Sequence, residues 1–470
     1  MTGEAGPGPR GDRVSGEPAW TQRRLHFVGI GGDGMSGLAL VARSLGATVT
    51  GSDRRDAPVL QRLRAQGIGV VVGHHGDSVP AGAELVYSSA VAPGNPERAR
   101  ARELGLPERR RGALLAELAG ERRCIAVAGT HGKTTTAAMI VQALHGADVP
   151  AGYVIGADLL NTGRSADWGA GEWLVVETDE SDRSLLELHP EVAVLTNVEL
   201  EHVRAYRSRA ELDEVFRTFL AQAEETVLWD RPEVRSLGNG TARTFDVPAP
   251  ALEPWGSRFS WRGREVGLRV PGAHNARNAA AALEASALAG ADPDRAVAAL
   301  GRFCGTARRL QRLGTTIGGA TVYDDYAHHP TEVRCTLEAA RAVASGRLVA
   351  ALEPHSFARV GMMASAFGGA LAVADAAVVL DVVRAGPEDG PPVSASLIAD
   401  AARAAGCATV VEVPDLDAAE RYLATLLRGG DVCVTMGFVH IEQLAQRLVA
   451  GGGAGARDDG SRPPRSGRVT

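Results

Sequence analysis

The chain has almost no lysine, few aromatic residues and few cysteines. Lys133 is the single lysine among 50 basic residues, and aromatic residues make up 4% of the 470 positions. The five cysteines include no pair at the spacing of metal ligands, which argues against a cysteine-based metal centre and a disulfide framework. We therefore expect free thiols in a reducing compartment.

Long hydrophobic runs and a basic excess are also missing. No apolar stretch reaches the roughly 20 residues that a membrane-spanning helix needs, and the N-terminus has no apolar core for a signal peptide. The 50 basic and 56 acidic residues give a net charge of -6, unlike a dedicated nucleic-acid binder. We expect a cytoplasmic protein, monomer or homodimer, with no membrane or nucleic-acid partner.

Between two Gly-, Pro- and charge-rich ends, short apolar runs alternate with Ala/Leu-rich amphipathic stretches. This alternation predicts βαβ units and parallel sheets, so the fold class is α/β. A length of 470 residues corresponds to about three domains. The predicted division is disordered tails at 1–22 and 451–470 and domains at 23–119, 120–312 and 313–450.

A first glycine turn, G-x-G-x-x-G, spans Gly29–Gly34 between a predicted strand and helix. Glycines allow close approach of the backbone to a diphosphate, and the helix N-terminus supplies amide donors. Asp53, at the end of the next strand, can accept a hydrogen bond from a ribose or base. From these residues three interpretations stay open: a nicotinamide dinucleotide, another diphosphate-linked nucleotide, or a purely structural turn.

A second glycine turn follows the apolar strand that begins at Cys124. Its residues are Gly129, Thr130, His131, Gly132, Lys133, Thr134 and Thr135. It is a variant P-loop, because Val127 stands where the usual spacing requires glycine. Its backbone amides would hold phosphate oxygens, while Lys133 neutralises their charge and the Thr134 hydroxyl reaches Mg²⁺. A planar guanidinium cannot replace a compact ammonium there, so we predict ATP binding.

Polar clusters follow later predicted strands. Glu177 opens the segment E-T-D-E-S-D, and His202 closes N-V-E-L-E-H; both are candidate Mg²⁺ ligands, with solvated loop ends as the alternative. In the third block, Y-D-D-Y-A-H-H-P-T-E at 323–332 indicates a binding surface or a helix N-cap network. Two adjacent arginines, Arg308 and Arg309, precede it and can clamp phosphate or lie in a solvated linker.

Together these motifs resemble the Mur ligases over residues 25–448, most clearly in G-T-H-G-K-T-T and D-D-Y-A-H-H-P-T-E. The resemblance implies a Rossmann-like N-terminal domain for a UDP-sugar acid, a central P-loop ATPase-like parallel sheet and a C-terminal Rossmann-like α/β domain. It also implies an ATP- and Mg²⁺-dependent ligase that joins UDP-N-acetylmuramate to L-alanine through an acyl phosphate. The nicotinamide interpretation then becomes a minor one.

The resemblance implies roles for individual residues. Catalytic roles would fall to Lys133, His202, Arg309 and His328, and metal ligation to Thr134, Glu177 and His202. Besides the phosphate loop from Gly129 to Thr135, the nucleotide would contact His274, Asn275, Asn278 and Arg308. The other substrates would contact Gly29, Gly31, Gly32, Gly34, Met35, Ser36, Asp53, Ser88, Tyr326, His329 and His355. Of the histidines in the third block and His355, none is singled out as the base for the attacking amine.

The chain departs from the family pattern mainly in its last third. Ser356 stands where the pattern has an arginine facing the substrate, and Phe438 and His440 fall in a segment that usually reads M-G-A-G-D. The central nucleotide elements are mostly kept. Two alternatives therefore stay open: a divergent paralogue that joins a different acid and amino acid, and an inactive protein that binds nucleotides or UDP-sugars.

Overall fold

The computed structural model describes residues 19–201, 206–385 and 389–450. Its helices pack on three mostly parallel sheets, which confirms the predicted α/β class. The chain divides into two compact units whose main boundary lies between Ala307 and Arg308. Within the described residues, no helix is both long and apolar enough to cross a bilayer.

The first sheet has five parallel strands in the order β3, β2, β1, β4, β5. The strands are β1 (Arg24–Val28), β2 (Thr48–Asp53), β3 (Gly69–Val72), β4 (Glu84–Tyr87) and β5 (Glu108–Arg110). The helices are α1 (Asp33–Ser44), α2 (Pro58–Ala65), α3 (Pro96–Glu103) and α4 (Arg111–Gly120). The order reverses at β1, so ligands of this sheet are expected at the carboxyl ends of β1 and β4.

The folded chain starts earlier than the sequence predicted. Trp20–Gln22 form a 3-10 turn, although the sequence placed them in the tail. The Trp20 ring is buried, its Nε1 donates to Glu121 at 2.6 Å, and the Arg23 guanidinium lies 4.2 Å from the ring centroid. These contacts anchor the turn to the end of α4. Residues 1–18 and 451–470 of the predicted tails lie outside the described residues.

The second sheet has seven strands in the order β12, β11, β10, β6, β9, β7, β8, and only β8 runs antiparallel. Its strands are β6 (Arg123–Ala128), β7 (Ala151–Leu159), β8 (Arg164–Asp167), β9 (Trp173–Glu177), β10 (Val192–Leu195), β11 (Glu225–Trp229) and β12 (Arg243–Phe245). The strands β13 (Ala251–Glu253), β14 (Gly256–Trp261) and β15 (Arg264–Leu268) form a separate small sheet. The helices are α5 (Lys133–Gly146), α6 (Arg209–Ala221), α7 (Pro232–Arg235), α8 (Ala273–Leu288) and α9 (Pro293–Leu300).

Helix α5 lies in the centre of this part of the core. It follows β6 directly and packs against both α8 and α9. Small residues occur in both helices that it contacts: α8 buries a run of alanines from Ala279 to Ala282, and Ala299 of α9 lies directly against Gly146 of α5. Because alanine side chains allow close helix approach and have high helix propensity, the glycine turn before α5 is fixed against a rigid support.

The third sheet belongs to the second unit and has six strands in the order β16, β17, β21, β18, β19, β20. The strands are β16 (Gln311–Thr315), β17 (Thr321–Asp325), β18 (Leu348–Leu352), β19 (Ala376–Leu380), β20 (Thr409–Val413) and β21 (Val432–Met436). The helices are α10 (Pro330–Val343), α11 (Phe357–Leu371), α12 (Ser396–Ala404), α13 (Leu416–Leu426) and α14 (Ile441–Ala450). Only the edge strand β16 is antiparallel, so β17, β21 and β18 present their carboxyl ends side by side.

Helix α11 offers a direct test of this core. Phe367 is fully buried in the second unit, whereas Met362 on the same helix is 57% exposed. We expect Phe367→Ala to lower the free energy of unfolding of this unit by about 3–5 kcal/mol, because it leaves a cavity. Met362→Ala, the matched control, should change it by less than about 0.5 kcal/mol. Urea unfolding of both variants checks this, and equal midpoints would contradict the assigned core.

Candidate active site

The first glycine turn is built by backbone contacts between β1 and β2. The amides of Gly29 and Ile30 both donate to the Ser52 carbonyl at 2.9 Å, and Gly29 has a φ of +80°. Helix α1 begins directly after the turn, with Gly32 as its N-cap. A Cβ atom at Gly34 would lie 2.6 Å from Arg111 Nη1, so the Arg111 side chain passes directly over this glycine.

The other residues that the sequence assigned to this substrate site differ in position and in contacts. Asp53 Oδ2 accepts a hydrogen bond from the Gly31 amide at 2.9 Å, so this carboxylate oxygen holds the turn itself. Ser88 lies beside Gly29 at the end of β4, and its Oγ accepts from Ala90 N. The side chains of Met35 and Ser36 are buried in α1.

The phosphate loop between β6 and α5 is held open by the segment after β10. Asn197 Oδ1 accepts from His131 N at 2.9 Å, and its Nδ2 donates to the His131 carbonyl at 2.8 Å. Thr196 Oγ1 donates to the same carbonyl at 2.7 Å. Gly129 and Gly132 have φ values of +127° and +80°, a region that favours glycine. The loop therefore keeps its shape through side chains of a neighbouring strand end.

Lys133, the first residue of α5, points back into the loop. Its Nζ donates to the carbonyls of Gly129 at 2.6 Å and Thr130 at 3.1 Å, and to Glu180 Oε2 at 3.1 Å. Burial alone would lower the pKa of Lys133, but the carboxylates of Glu180 and Asp179 raise it above its usual value. Burial raises the pKa of Glu180 to about 7 despite the ammonium. The ammonium is thus held ready at the loop by a carboxylate and two carbonyls.

Two side-chain oxygens that could bind a metal ion lie close together at the residue after the lysine. Thr134 Oγ1 donates to Glu177 Oε1 at 2.9 Å, and Glu177 Oε2 accepts from Gly156 N at 2.6 Å. A hydroxyl and a carboxylate at this separation are the oxygen ligands that Mg²⁺ prefers, so the donor set fits this ion. His202, the third predicted ligand, lies outside the described residues.

The start of helix α8 lies against the phosphate loop. A Cβ atom at Gly132 would be 2.7 Å from Asn278 Oδ1, which shows how close the two elements are. Asn278 donates to Asn275 Oδ1 at 3.4 Å, and Asn275 donates to the Pro271 carbonyl at 2.7 Å. Burial, with a contribution from Arg277, lowers the pKa of His274 to about 4, so this imidazole is neutral at pH 7. The structure thus gathers these predicted residues on the first turns of one helix.

A cavity of about 310 Å³ lies in the first unit, between the carboxyl end of β4 and the segment after β9. Its polar lining includes Tyr87, Ser89, Arg98, Arg110, Arg111, Asp182, Ser184 and Glu187. Arg111 Nη2 donates to Asp182 Oδ2 at 2.6 Å, which links the first sheet to the acidic segment of the second. The cavity thus lies between the first sheet and the acidic segment that follows β9 of the second sheet.

In the second unit, the two adjacent arginines have different environments. Arg308 Nε donates to Asp324 Oδ2 at 2.9 Å, and its guanidinium also contacts Glu442 and the Gly437 carbonyl. Arg309 lies 4.9 Å from the Tyr326 ring centroid, and among the described residues its guanidinium has no hydrogen bond or ion pair. Burial raises the pKa of the Asp325 carboxyl, and the charge of Arg309 opposes this rise. Of the two arginines, Arg309 thus has fewer direct contacts with the protein.

The predicted histidines of this unit also differ in their environments. His329 is 1% exposed and is the N-cap of α10, where its Nδ1 accepts from Thr331 N. Of the two roles predicted for this segment, binding surface or helix N-cap, His329 therefore has the second. His328 Nδ1 lies 3.1 Å from the Tyr326 carbonyl oxygen and 3.4 Å from Glu332 Oε2. The His328 and His355 rings both contact Phe438. Tyr326, His328 and His355 therefore form one group at the carboxyl edge of the third sheet.

Sequence reasoning missed several residues that build the site. Glu180 pairs with the lysine, Asn197 shapes the loop, Arg111 lines the cavity, and Phe438 joins the group of rings. Glu180 was visible in E-T-D-E-S-D, three positions after Glu177. Asn197 opens N-V-E-L-E-H, and Phe438 stands out as a departure from the family pattern, but their contacts could not be predicted because their partners are distant along the chain.

These features define an α/β enzyme class with a lysine-bearing phosphate loop and an adjacent carboxylate shell. Family models match three consecutive stretches: the Mur ligase family catalytic domain at residues 24–123, the middle domain at 127–286 and the glutamate ligase domain at 308–438. The chain belongs to the Mur ligase family and is an ATP-dependent ligase. This confirms the resemblance and the predicted use of ATP.

Curated relatives match nearly the full length. UDP-N-acetylmuramate–L-alanine ligase of Streptomyces coelicolor is 41% identical, with 91% of this chain and 97% of that protein covered. The ligase of the same name from Acidothermus cellulolyticus is 42% identical, with 88% and 91% covered. The crystal structure of UDP-N-acetylmuramate-alanine ligase from Thermotoga maritima aligns with a TM-score of 0.79 and 27% identity, covering 91% of this chain and 98% of that one.

The loop geometry predicts a strict need for glycine at position 129. A Cβ atom there would lie 2.2 Å from Thr196 Oγ1 and 2.9 Å from the Asn197 carbonyl oxygen. We expect Gly129→Ala to weaken binding of a non-hydrolysable ATP analogue at least about tenfold, or about 1.4 kcal/mol, in calorimetry. Gly120→Ala is the control, because no atom lies within 4 Å of its added methyl group. Wild-type affinity in the Gly129 variant would contradict the loop geometry.

Proposed function

We propose that this chain joins UDP-N-acetylmuramate to L-alanine in an ATP-dependent reaction that passes through an acyl phosphate and releases ADP and phosphate. The supporting observation is the combination of a complete phosphate loop around Lys133 with about 40% identity to ligases of that name over nearly the whole chain. An inactive nucleotide-binding protein would have no need to retain Lys133, Thr134 and Glu177 together.

The phosphate loop is proposed to bind the triphosphate of ATP. Amides after Gly129 and at the N-terminus of α5 donate to phosphate oxygens, and the Lys133 ammonium moves from Glu180 to the β- and γ-phosphates. Asn275, Asn278 and the neutral His274 would receive the adenine end, since they lie beside the loop at the start of α8. Uncharged partners suit a neutral base.

Mg²⁺ is proposed to be held by Thr134 and Glu177, with His202 as the third protein ligand. The support is the hydroxyl–carboxylate pair at 2.9 Å. When bound, the ion would neutralise charge on the phosphate oxygens and orient them. The protein's own part is to keep Glu177 in place, which the amide of Gly156 does by donating to its second oxygen.

The first glycine turn and the neighbouring cavity are proposed to bind the UDP-linked acid. Gly29–Gly34 would receive the diphosphate, and Ser88 lies beside that turn. The cavity then continues toward Asp182 at the acidic segment of the second sheet. A sugar acid that fills it would extend from the first turn toward the phosphate loop, with Arg110 and Arg111 offering positive charge to a carboxylate.

Two bond changes complete the proposed reaction. The acid's carboxylate oxygen attacks the γ-phosphorus and ADP leaves, so an acyl phosphate forms. The amine then attacks the acyl carbon, the amide bond forms, the amine loses a proton and inorganic phosphate leaves. Lys133 and Arg309 are proposed to stabilise the negative charge that builds on the transferring oxygens. His328, Tyr326 and His355 are proposed to line the amino-acid pocket.

Several further expectations stand as proposals. We propose a division into domains at 23–119, 120–312 and 313–450. We also propose that the protein works in the cytoplasm as a monomer or homodimer, without a nucleic-acid or membrane partner. Its partners would be the small-molecule substrates alone.

A substrate assay tests the proposed function directly. Purified protein with ATP, Mg²⁺ and UDP-N-acetylmuramate should release phosphate when L-alanine is added, and mass spectrometry should show the coupled product. Omission of either substrate is the control. Turnover only with another acid or amino acid would favour the divergent paralogue, and nucleotide binding without turnover across the panel would favour the inactive binding protein.

The role of Lys133 is tested by two replacements. We expect Lys133→Ala and Lys133→Arg each to lower the rate of phosphate release by about 10²–10⁴, because neither places a compact ammonium between phosphates. Lys133→Arg keeps a positive charge near buried Glu180, so it separates loss of catalysis from loss of folding. Arg164→Ala, at a 67% exposed side chain, serves as the control. Near wild-type turnover in Lys133→Arg would refute the assigned role.

A further inference from the structure

Four aromatic rings meet at the carboxyl edge of the third sheet. The Tyr326 and Phe438 rings stack with centroids 5.4 Å apart and an interplanar angle of 29°. The His328 and His355 rings meet Phe438 edge-on, with centroid distances of 4.8 Å and 4.4 Å. Phe438 therefore touches all three of the others and is the centre of this ring cluster.

The position of Phe438 follows from the strand order. Strand β21 lies between β17 and β18, and Phe438 comes two residues after β21 ends. Tyr326 directly follows β17, and His355 follows β18 by three residues. The topology thus places Phe438 between the two other strand ends.

The backbone around Phe438 is fixed on both sides. Before it, the Gly437 amide donates to the Asp325 carbonyl at 3.2 Å, and the Gly437 carbonyl accepts from Arg308 Nη2 at 2.7 Å. After it, the His440 amide donates to Glu353 Oε2 at 2.8 Å. These contacts fix the backbone on both sides of Phe438, so its ring can leave the cluster only by side-chain rotation, which would break its contacts with the three neighbouring rings.

Centroid distances of 4.4–5.4 Å are those of rings in direct contact, so no side chain fits between Phe438 and its three neighbours. All four residues are half-buried, so each is partly accessible to a small molecule. An aliphatic group that approaches the two imidazoles therefore also meets the Phe438 ring, which contacts both of them and limits the space beside them.

We infer that Phe438 sets the size limit for the side chain of the amino-acid substrate, which it restricts to small residues such as alanine. This rests on the proposed function, which places the amino acid at Tyr326, His328 and His355. A larger aliphatic side chain would have to displace the Phe438 ring from its contacts with three other rings. Phe438 acts as a specificity-determining residue and takes no part in the bond changes.

Truncation of this ring tests the inference. We expect Phe438→Ala to raise the ratio of kcat/KM for L-valine or L-leucine to that for L-alanine at least about tenfold, within the range by which a methylene is discriminated. Phe438→Tyr retains a ring of the same width and should keep the wild-type ratio. Met362→Ala, on the exposed face of α11, should leave the ratio unchanged.

Phe438→Leu provides a second variant with a smaller loss of packing, and thermal unfolding of each variant checks the fold. An unchanged ratio in Phe438→Ala or Phe438→Leu overturns the inference, as does loss of alanine turnover in both without any gain on larger amino acids. Failure of the proposed function has a different result, because the wild-type protein would then not couple L-alanine at all.

Discussion

The phosphate loop is organised around one largely buried ion pair, Lys133 with Glu180. An ammonium that leaves water needs compensation, and here one carboxylate and the carbonyls of Gly129 and Thr130 provide it. The positive φ of Gly129 allows its carbonyl to face the ammonium. Helix α5, which begins at Lys133, fixes the backbone position of the lysine. The glycine loop and the acidic segment after β9 therefore lie close together because both contribute oxygen atoms that stabilise this cation before a ligand binds.

The sequence predicted the parallel sheets well, because fully buried strands are short apolar runs with turn residues at each end. For example, the apolar runs at 124–129, 173–178 and 432–436 predict strands, and these agree with β6, β9 and β21 within one residue. The hairpin of β14 and β15 was missed. Its residues alternate, so Phe259 and Trp261 are buried while Arg258 and Ser260 are exposed, and the fragment lies inside a polar stretch that resembles a loop.

The site was predictable where chemistry is local and unpredictable where it depends on distant partners. A strand, a glycine turn and a lysine at the start of a helix determine the phosphate loop by themselves. In contrast, Arg308 and Arg309 are equivalent in sequence, and only the fold gives Arg308 to Asp324, Glu442 and a carbonyl. Likewise, His329 becomes an N-cap because Pro330 starts the helix that follows it.

Two residues of the second unit that depart from the family pattern, Ser356 and His440, make hydrogen bonds within the protein. Glu353 accepts from the amides of His440 and Ile441 at the start of α14, and Asp389 accepts from Ser356 Oγ and Phe357 N at the start of α11. Two helix N-termini at this edge, which otherwise attract anions, are thus neutralised by the chain's own carboxylates. The adjacent ring cluster lies between the same strand ends, so this edge presents aromatic surface beside helix N-termini whose positive ends are already compensated.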